Sequence, residues 1–159
     1  MKDVMTTCNE SNPLRALSYA DSLAESTSDI ILLIGRILLG WIFVRSGYGK
    51  LFDMGAYATM LQGRGIPIFL GYTSVLVEFF GGIALILGLA TRYVTLVMIA
   101  FMVVATFTSH RYWQFADVSV RRIQELNFYK NLAMMGGFCF LFVCNSKRFS
   151  VDAWLRIRG

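Results

Sequence analysis

Six side chains in this 159-residue sequence could do chemistry together: Arg36, Lys50, Glu78, His110, Lys130 and Asn131. Their setting is what makes them candidates. Glu78 stands near the middle of residues 68–92, IFLGYTSVLVEFFGGIALILGLATR, an apolar and small-residue run. Such a run crosses ~30 Å of hydrocarbon as a helix. A carboxylate at that depth costs ~2.5–3.5 kcal/mol on insertion scales, so it turns inward and requires a partner. Arg36 lies well inside a second run, residues 30–51, and Lys50 closes that run. Lys130 and Asn131 occupy the first turns of a later one. Arg or Lys beside a carboxylate in a dry site can donate a hydrogen bond to a carbonyl and exchange protons. An internal polar pocket that binds a hydrogen-bond acceptor is the chemistry this set suggests. His110, the only histidine, stands beside Arg111, Tyr112 and Trp113. It reads equally well as an interface residue or as part of a site.

The spacing suggests which groups meet. In antiparallel helices Arg36 lies ~9 Å in from the start of its run and Glu78 ~15 Å in from the start of its own. The ~6 Å offset is within reach of an arginine, so Arg36 and Glu78 are expected to form a coupled buried pair. Lys50, Lys130 or a bound ligand are the alternatives that could answer Glu78. Around about 100° per residue, Arg36, Gly40, Phe43, Gly47 and Lys50 share one face. Gly71, Ser74 and Gly82 share the face of Glu78. Glycines so placed permit close helix packing and leave room for a guest. Gly40, Gly47, Gly71 and Gly82 are therefore expected to pack the bundle or line the pocket.

The elements that must position these groups follow from composition. The sequence is 56% hydrophobic and 16% charged, with mean hydropathy +0.57. That is too apolar for a water-soluble domain of this size and indicates a membrane protein. Net charge is +5, but the cations are dispersed, so no nucleic-acid surface is expected. Cys8, Cys139 and Cys144 form no CxxC pair. With one histidine, they offer no usual metal or haem ligand set, and no disulfide framework. No metal and no covalently bound cofactor are expected.

Residues 1–29 are polar and carry no secretory signal pattern. Residues 1–12 are expected to be flexible. Residues 13–25 could lie at the interface as a helix, with Leu14, Leu17 and Tyr19 on headgroups. Asp29 is the expected N-cap of a first span over residues 30–51. Residues 52–67, FDMGAYATMLQGRGIP, are too broken to span. There Asp53 should cap a short helix ended by Gly63. Gly65 and Pro67 then turn the chain, and Met54, Tyr57, Met60 and Leu61 lie on the membrane or over the bundle mouth. Further spans are expected at residues 68–89, 93–109 and 126–144, with a polar loop at 114–127. In the third, Thr95, Met98, Met102, Thr106 and Ser109 form a stripe that reads first as packing. The expected fold is all-α, an antiparallel four-helix integral membrane bundle with short interfacial helices and both termini on one side. Basic residues number seven on each side of that topology, so charge does not orient it. Such a tie suggests that some far-side cations serve a site.

Several segments together resemble the DoxX family of small four-helix bacterial membrane proteins. They are GRILLGWIFVRSGYGKL (35–51), the 63–67 turn, LVEFFGGIALILGLATR (76–92), the His110–Trp113 exit, NFYKNLAMMGGF (127–138) and the ending SVD (150–152). The N-terminal stretch is longer than the family pattern, and CNSKRFS (144–150) lacks its GPG-like turn. The resemblance implies a polar cytoplasmic segment at 1–29, a transmembrane domain at 30–146 and a cytoplasmic tail at 147–159, in the bacterial inner membrane. It also implies a redox connection, since some relatives are membrane subunits of quinone-reducing oxidoreductases.

Two functional readings follow. The chain is a redox-linked, quinone-interacting membrane subunit whose pocket is lined by Arg36, Lys50, Glu78 and Lys130. Alternatively, it is a non-enzymatic membrane protein that carries a small solute or supports a partner complex. A structural reading, in which Arg36 and Glu78 merely neutralise each other, stands beside them. No self-contained catalytic site is visible. A homo-oligomer or a redox-protein partner is expected within the lipid bilayer.

Overall fold

The computed structural model describes residues 13–145 and 148–158. Its order is α1 (Pro13–Leu51), α2 (Met54–Gln62), α3 (Ile68–Leu87), α4 (Thr91–Ser109), a 3-10 turn (Tyr112–Gln114), α5 (Val118–Cys144) and α6 (Val151–Arg158). Among the described residues there is no strand, and four helices are long and apolar enough to cross a membrane. Cys8, Lys147, the expected flexible segment at 1–12 and the headgroup contacts of Leu14 and Leu17 lie outside the described residues. Arg36 at Gly88, Gly40 at Gly82 and Lys50 at Glu78 make α1 and α3 antiparallel. Thr106 at Asn131 and His110 at Gln124 do the same for α4 and α5. The result is an up-down bundle. Its terminal end carries the α3–α4 link and α6; its far end carries α2 and the 3-10 turn.

Two boundaries differ from the sequence expectation. Asp29 is not an N-cap: α1 runs unbroken for 39 residues from Pro13, ~58 Å at 1.5 Å per residue. The span therefore projects well beyond a ~30 Å hydrocarbon layer. The Ser/Thr cluster just before Asp29 is bonded backwards. Ser26 and Thr27 hydroxyls donate to Leu23 O at 3.1 and 2.6 Å, and Ser28 donates to Glu25 O at 2.9 Å. Such bonds serve the preceding turn instead of opening a new helix. Likewise, most of the expected loop at 114–127 is helical, the first ten residues of α5. Asp117 starts them by accepting from Val120 N at 2.9 Å. The Ser119 hydroxyl, then the Val120 amide, hold this carboxyl below its usual range. The cap is thus in place at neutral pH and is lost only as pH falls through that lowered value.

The short α2 forms as expected. Asp53 accepts from Ala56 N at 3.1 Å, and Gly63 is the C-cap. Gly65 takes φ +82, the left-handed conformation that its lack of a Cβ permits. The core lies between the terminal end and the bundle middle: Phe43, Leu85, Met98, Met102, Phe138 and Leu141. Phe43 and Phe138 bring α1 onto α5 with ring centroids 5.6 Å apart.

The α1–α3 seam closes backbone to backbone. A Cβ on Gly40 would lie 2.6 Å from Gly82 O, and one on Gly47 would lie 2.9 Å from Phe79 Cα. Gly71 meets α2 the same way, 2.6 Å from Ala58 Cα. The four glycines singled out in the sequence are all close-approach positions, as small residues at membrane-helix interfaces should be. Gly82→Leu is therefore expected to separate α1 from α3 and lower stability by ~1–3 kcal/mol or more. Gly136→Ala, with nothing within 4 Å of the added carbon, should leave the thermal transition in detergent unchanged. Equal transitions for both variants would contradict this packing.

Candidate functional site

At the far end the four spanning helices diverge around a cavity of about 360 Å³. Phe43 and Met102 line it on the side of the core, and Tyr57 and Met60 of α2 cover it. Lys50 stands in the last turn of α1 and Glu78 in the middle of α3. Their Nζ and Oε2 are 2.6 Å apart, with Glu78 7% exposed and Lys50 27%. The same Nζ sits 4.8 Å from the Tyr57 ring centroid, a cation–π distance. Glu78 is thus answered by Lys50, one of the sequence alternatives.

The opposite wall comes from α4 and α5. Asn131 Nδ2 donates to Thr106 Oγ1 at 3.1 Å, and both residues are buried. His110 Nδ1 lies 2.7 Å from Gln124 Oε1. In this orientation the amide oxygen can only accept, so Nδ1 donates to it. Lys130 Nζ donates to Asn127 Oδ1 at 3.0 Å. Lys50, Glu78, His110, Lys130 and Asn131 all line the one cavity, joined by Arg64, Ser109 and Gln124. Its lining sets Lys50, Arg64 and Lys130 against one carboxylate, so it favours electron-rich or anionic groups. These three cations belong to the far-side set whose number suggested a site.

Arg36 is a correction. It precedes Lys50 by fourteen residues, ~21 Å along a helix, and does not line this cavity. Instead it is buried at the terminal end, 2% exposed, with Nη2 donating to Phe149 O. Asp152 is its neighbouring charge. A Cβ on Gly88, which holds φ +67, would collide with Arg36 Nη1. Depth counted from the start of each apolar run misplaced it, because α1 does not start there. The helix register is fixed instead by the glycine contacts.

The SVD ending gains a structural role here. Asp152 accepts from Ala90 N at 2.6 Å and from Thr91 N at 2.8 Å, and its own amide donates to Gly88 O at 3.0 Å. A carboxylate thereby caps α4, where helix amides and dipole favour negative charge. It also holds Ala90 in the left-handed region at φ 45, which a residue with a Cβ adopts only when fixed from outside. Ser150 Oγ accepts from Ala153 N at 3.1 Å and starts α6.

The DoxX family profile matches residues 31–111. The chain is also 31% identical over 131 residues to inner membrane protein YqjF of Escherichia coli (strain K12), across 82% of this chain and 96% of that protein. This chain belongs to the DoxX family. It is 27% identical over 125 residues to inner membrane protein YphA of the same organism, across 77% of this chain and 89% of that protein. No solved structure matches it. The profile segment of this DoxX protein holds Arg36, Lys50, Glu78 and His110, whereas Lys130 and Asn131 are supplied by α5 beyond it. Among the described residues, no three His, Cys, Asp or Glu side chains come together as a metal cluster.

Arg64, Thr106 and Gln124 were not singled out for the site by sequence. Thr106, which accepts from Asn131 behind the cavity wall, had a signal: it shares a stripe with Ser109, which lines the cavity. Arg64 had only the count of far-side cations, and Gln124 had none, since both stood in segments read as connections.

Proposed function

We propose that this DoxX-family chain is a redox-linked membrane subunit that binds a quinone in the far-end cavity. It would lie in the bacterial inner membrane, as the names of its relatives suggest, with both termini cytoplasmic. The observation that carries this reading is the Lys50–Glu78 pair: a charged hydrogen-bond donor and a carboxylate held 2.6 Å apart in a cavity beside hydrocarbon. A quinone supplies an acceptor of two electrons and two protons, and a partner redox protein would supply the electrons. Lys50 Nζ is placed to donate to a carbonyl oxygen. Asn131 Nδ2, or Lys130 Nζ across the cavity, can donate to the second oxygen. Glu78 accepts and returns protons beside Lys50, and His110 lines the same cavity. Among the described residues, the packed core of Phe43 with Phe138 and Met102 lies between the cavity and the terminal end. That favours binding and proton exchange over carriage of a solute through the monomer.

Quinone extracted from the purified protein is the direct test. The wild type in mild detergent is expected to retain quinone above the level found in empty micelles. Lys50→Met should retain about tenfold less, the scale of a lost hydrogen bond to a charged group. Equal quinone in both, or none above micelle background in the wild type, would contradict the proposal.

A further inference from the structure

We infer that the isoprenoid chain of the quinone lies in a groove between α3 and α4, which joins the cavity to the surrounding hydrocarbon. This rests on the quinone reading above and adds to it the part of the ligand that the cavity itself cannot hold.

The groove measures about 370 Å³ and is lined mainly by apolar side chains, among them Leu70, Val77, Val97, Phe101 and Val104. Its size lies in the range of ligand pockets, ~300–1,000 Å³. Small side chains line it on both helices, Thr73 and Ser74 on α3 and Ala100 and Ala105 on α4, and small side chains leave a cleft. Four residues, Tyr57, Phe101, Ala105 and Ser109, line both groove and cavity. An apolar channel facing lipid thus meets a polar chamber holding an ion pair, with Tyr57 of α2 above the junction. That sequence of environments matches a molecule with a polar ring and an apolar chain.

The other seams of the bundle do not offer this path. The α1–α3 seam is closed by the backbone contacts of Gly40 with Gly82 and of Gly47 with Phe79. At the far end, α4 and the 3-10 turn are joined to α5 by edge-to-face aromatic contacts: Phe128 lies 5.6 Å from Phe107, 5.5 Å from Tyr112 and 5.9 Å from Trp113, centroid to centroid. Between α1 and α5 the exposed residues that line the cavity are Ser46 and Lys130, with half-buried Ile42 and Met134 behind them, so a chain leaving there would pass a polar rim. A chain moving from lipid into the groove gains little hydrophobic energy, because both surroundings are apolar. The groove therefore acts by position: it admits the ligand sideways and sets its ring toward Lys50.

Photo-crosslinking tests this. The full-length protein is reconstituted in phosphatidylethanolamine/phosphatidylglycerol nanodiscs with a polyprenyl quinone carrying a diazirine on its first isoprene unit. Adducts are mapped by mass spectrometry. Adducts are expected on groove residues such as Leu70, Val97 and Val104, and excess unmodified polyprenyl quinone should suppress them. Ala100→Phe, at an exposed position on the groove wall, should lower them about tenfold, the scale of steric exclusion from an apolar pocket. Val104→Trp, also at an exposed position, makes the same test if the first variant fails to elute as a folded protein. Competed adducts confined to the cavity or to the α1–α5 side would overturn the groove assignment and leave quinone binding standing. So would adducts insensitive to both variants. Groove adducts that quinone cannot suppress, but a phospholipid can, would show an ordinary lipid chain there and also overturn it. No competed adduct anywhere, with no quinone in the extract, removes both readings.

Discussion

Lys50→Met is expected to destabilise the protein by ~3–5 kcal/mol, the scale of a buried ion pair broken from one side. Glu78→Leu should cost less. The asymmetry comes from position. Lys50 stands in the last turn of its helix and is 27% exposed, whereas Glu78 is 7% exposed in the middle of α3. Without Glu78, the lysine stem can turn its ammonium toward the far-end interface, as long cationic side chains do near helix ends. Without Lys50, the carboxylate has no such exit and loses its one charged hydrogen bond. The double variant should recover much of the loss, because two apolar groups of similar volume leave no stranded charge. A double-mutant cycle on thermal unfolding in detergent measures this coupling, and ~1–3 kcal/mol is expected. The cycle between Arg36→Leu and Glu78→Leu should instead be additive within ~0.5 kcal/mol. Coupling between Arg36 and Glu78 of the size expected for Lys50 would contradict the register described here.

The second large effect is expected at the terminal end. Arg36→Leu removes the donor to Phe149 O and the cation beside Asp152. The tail should then come away from the α3–α4 link while the spanning helices remain folded. Trypsin cleavage after Arg148, which is exposed and stands just before α6, reads this directly. Cleavage should accelerate at least about tenfold, which corresponds to ~1.4 kcal/mol less protection against local opening. Asp152→Ala should give the same proteolysis and also weaken the start of α4, since two amide bonds to its carboxylate are lost. Unchanged cleavage in Arg36→Leu would show that this buried guanidinium does not hold the tail.

The fold and the site were legible to different extents, for physical reasons. Spans show in sequence because hydrocarbon forbids unsatisfied backbone, so ~20 apolar residues have few alternatives to a helix. The glycines showed because close approach excludes a Cβ, and Gly40, Gly47, Gly71 and Gly82 each meet a neighbouring helix. The membership of the cavity was also largely visible, as polar groups in apolar runs turn inward. What was hidden was register. Whether Arg36 or Lys50 faces Glu78 depends on how far α1 slides along α3, and the apolar run at 30–51 does not mark the helix start. Ser26, Thr27 and Ser28 bond backwards, so the helix continues through Asp29, and counting from residue 30 misplaced Arg36. The role of Asp152 was hidden because its partners, Ala90 N and Thr91 N, lie 62 and 61 residues away. Sequence pattern shows local periodicity and does not show such a contact.

The central claim is that Glu78, paired with Lys50, exchanges protons with a quinone in the far-end cavity. A redox-induced infrared difference spectrum of the quinone-loaded protein tests it most directly. Reduction of the quinone is expected to shift a carboxyl or carboxylate band that is absent from the spectrum of Glu78→Gln and altered in that of Lys50→Met. Identical difference spectra for wild type and Glu78→Gln, with quinone bands present in both, would contradict it.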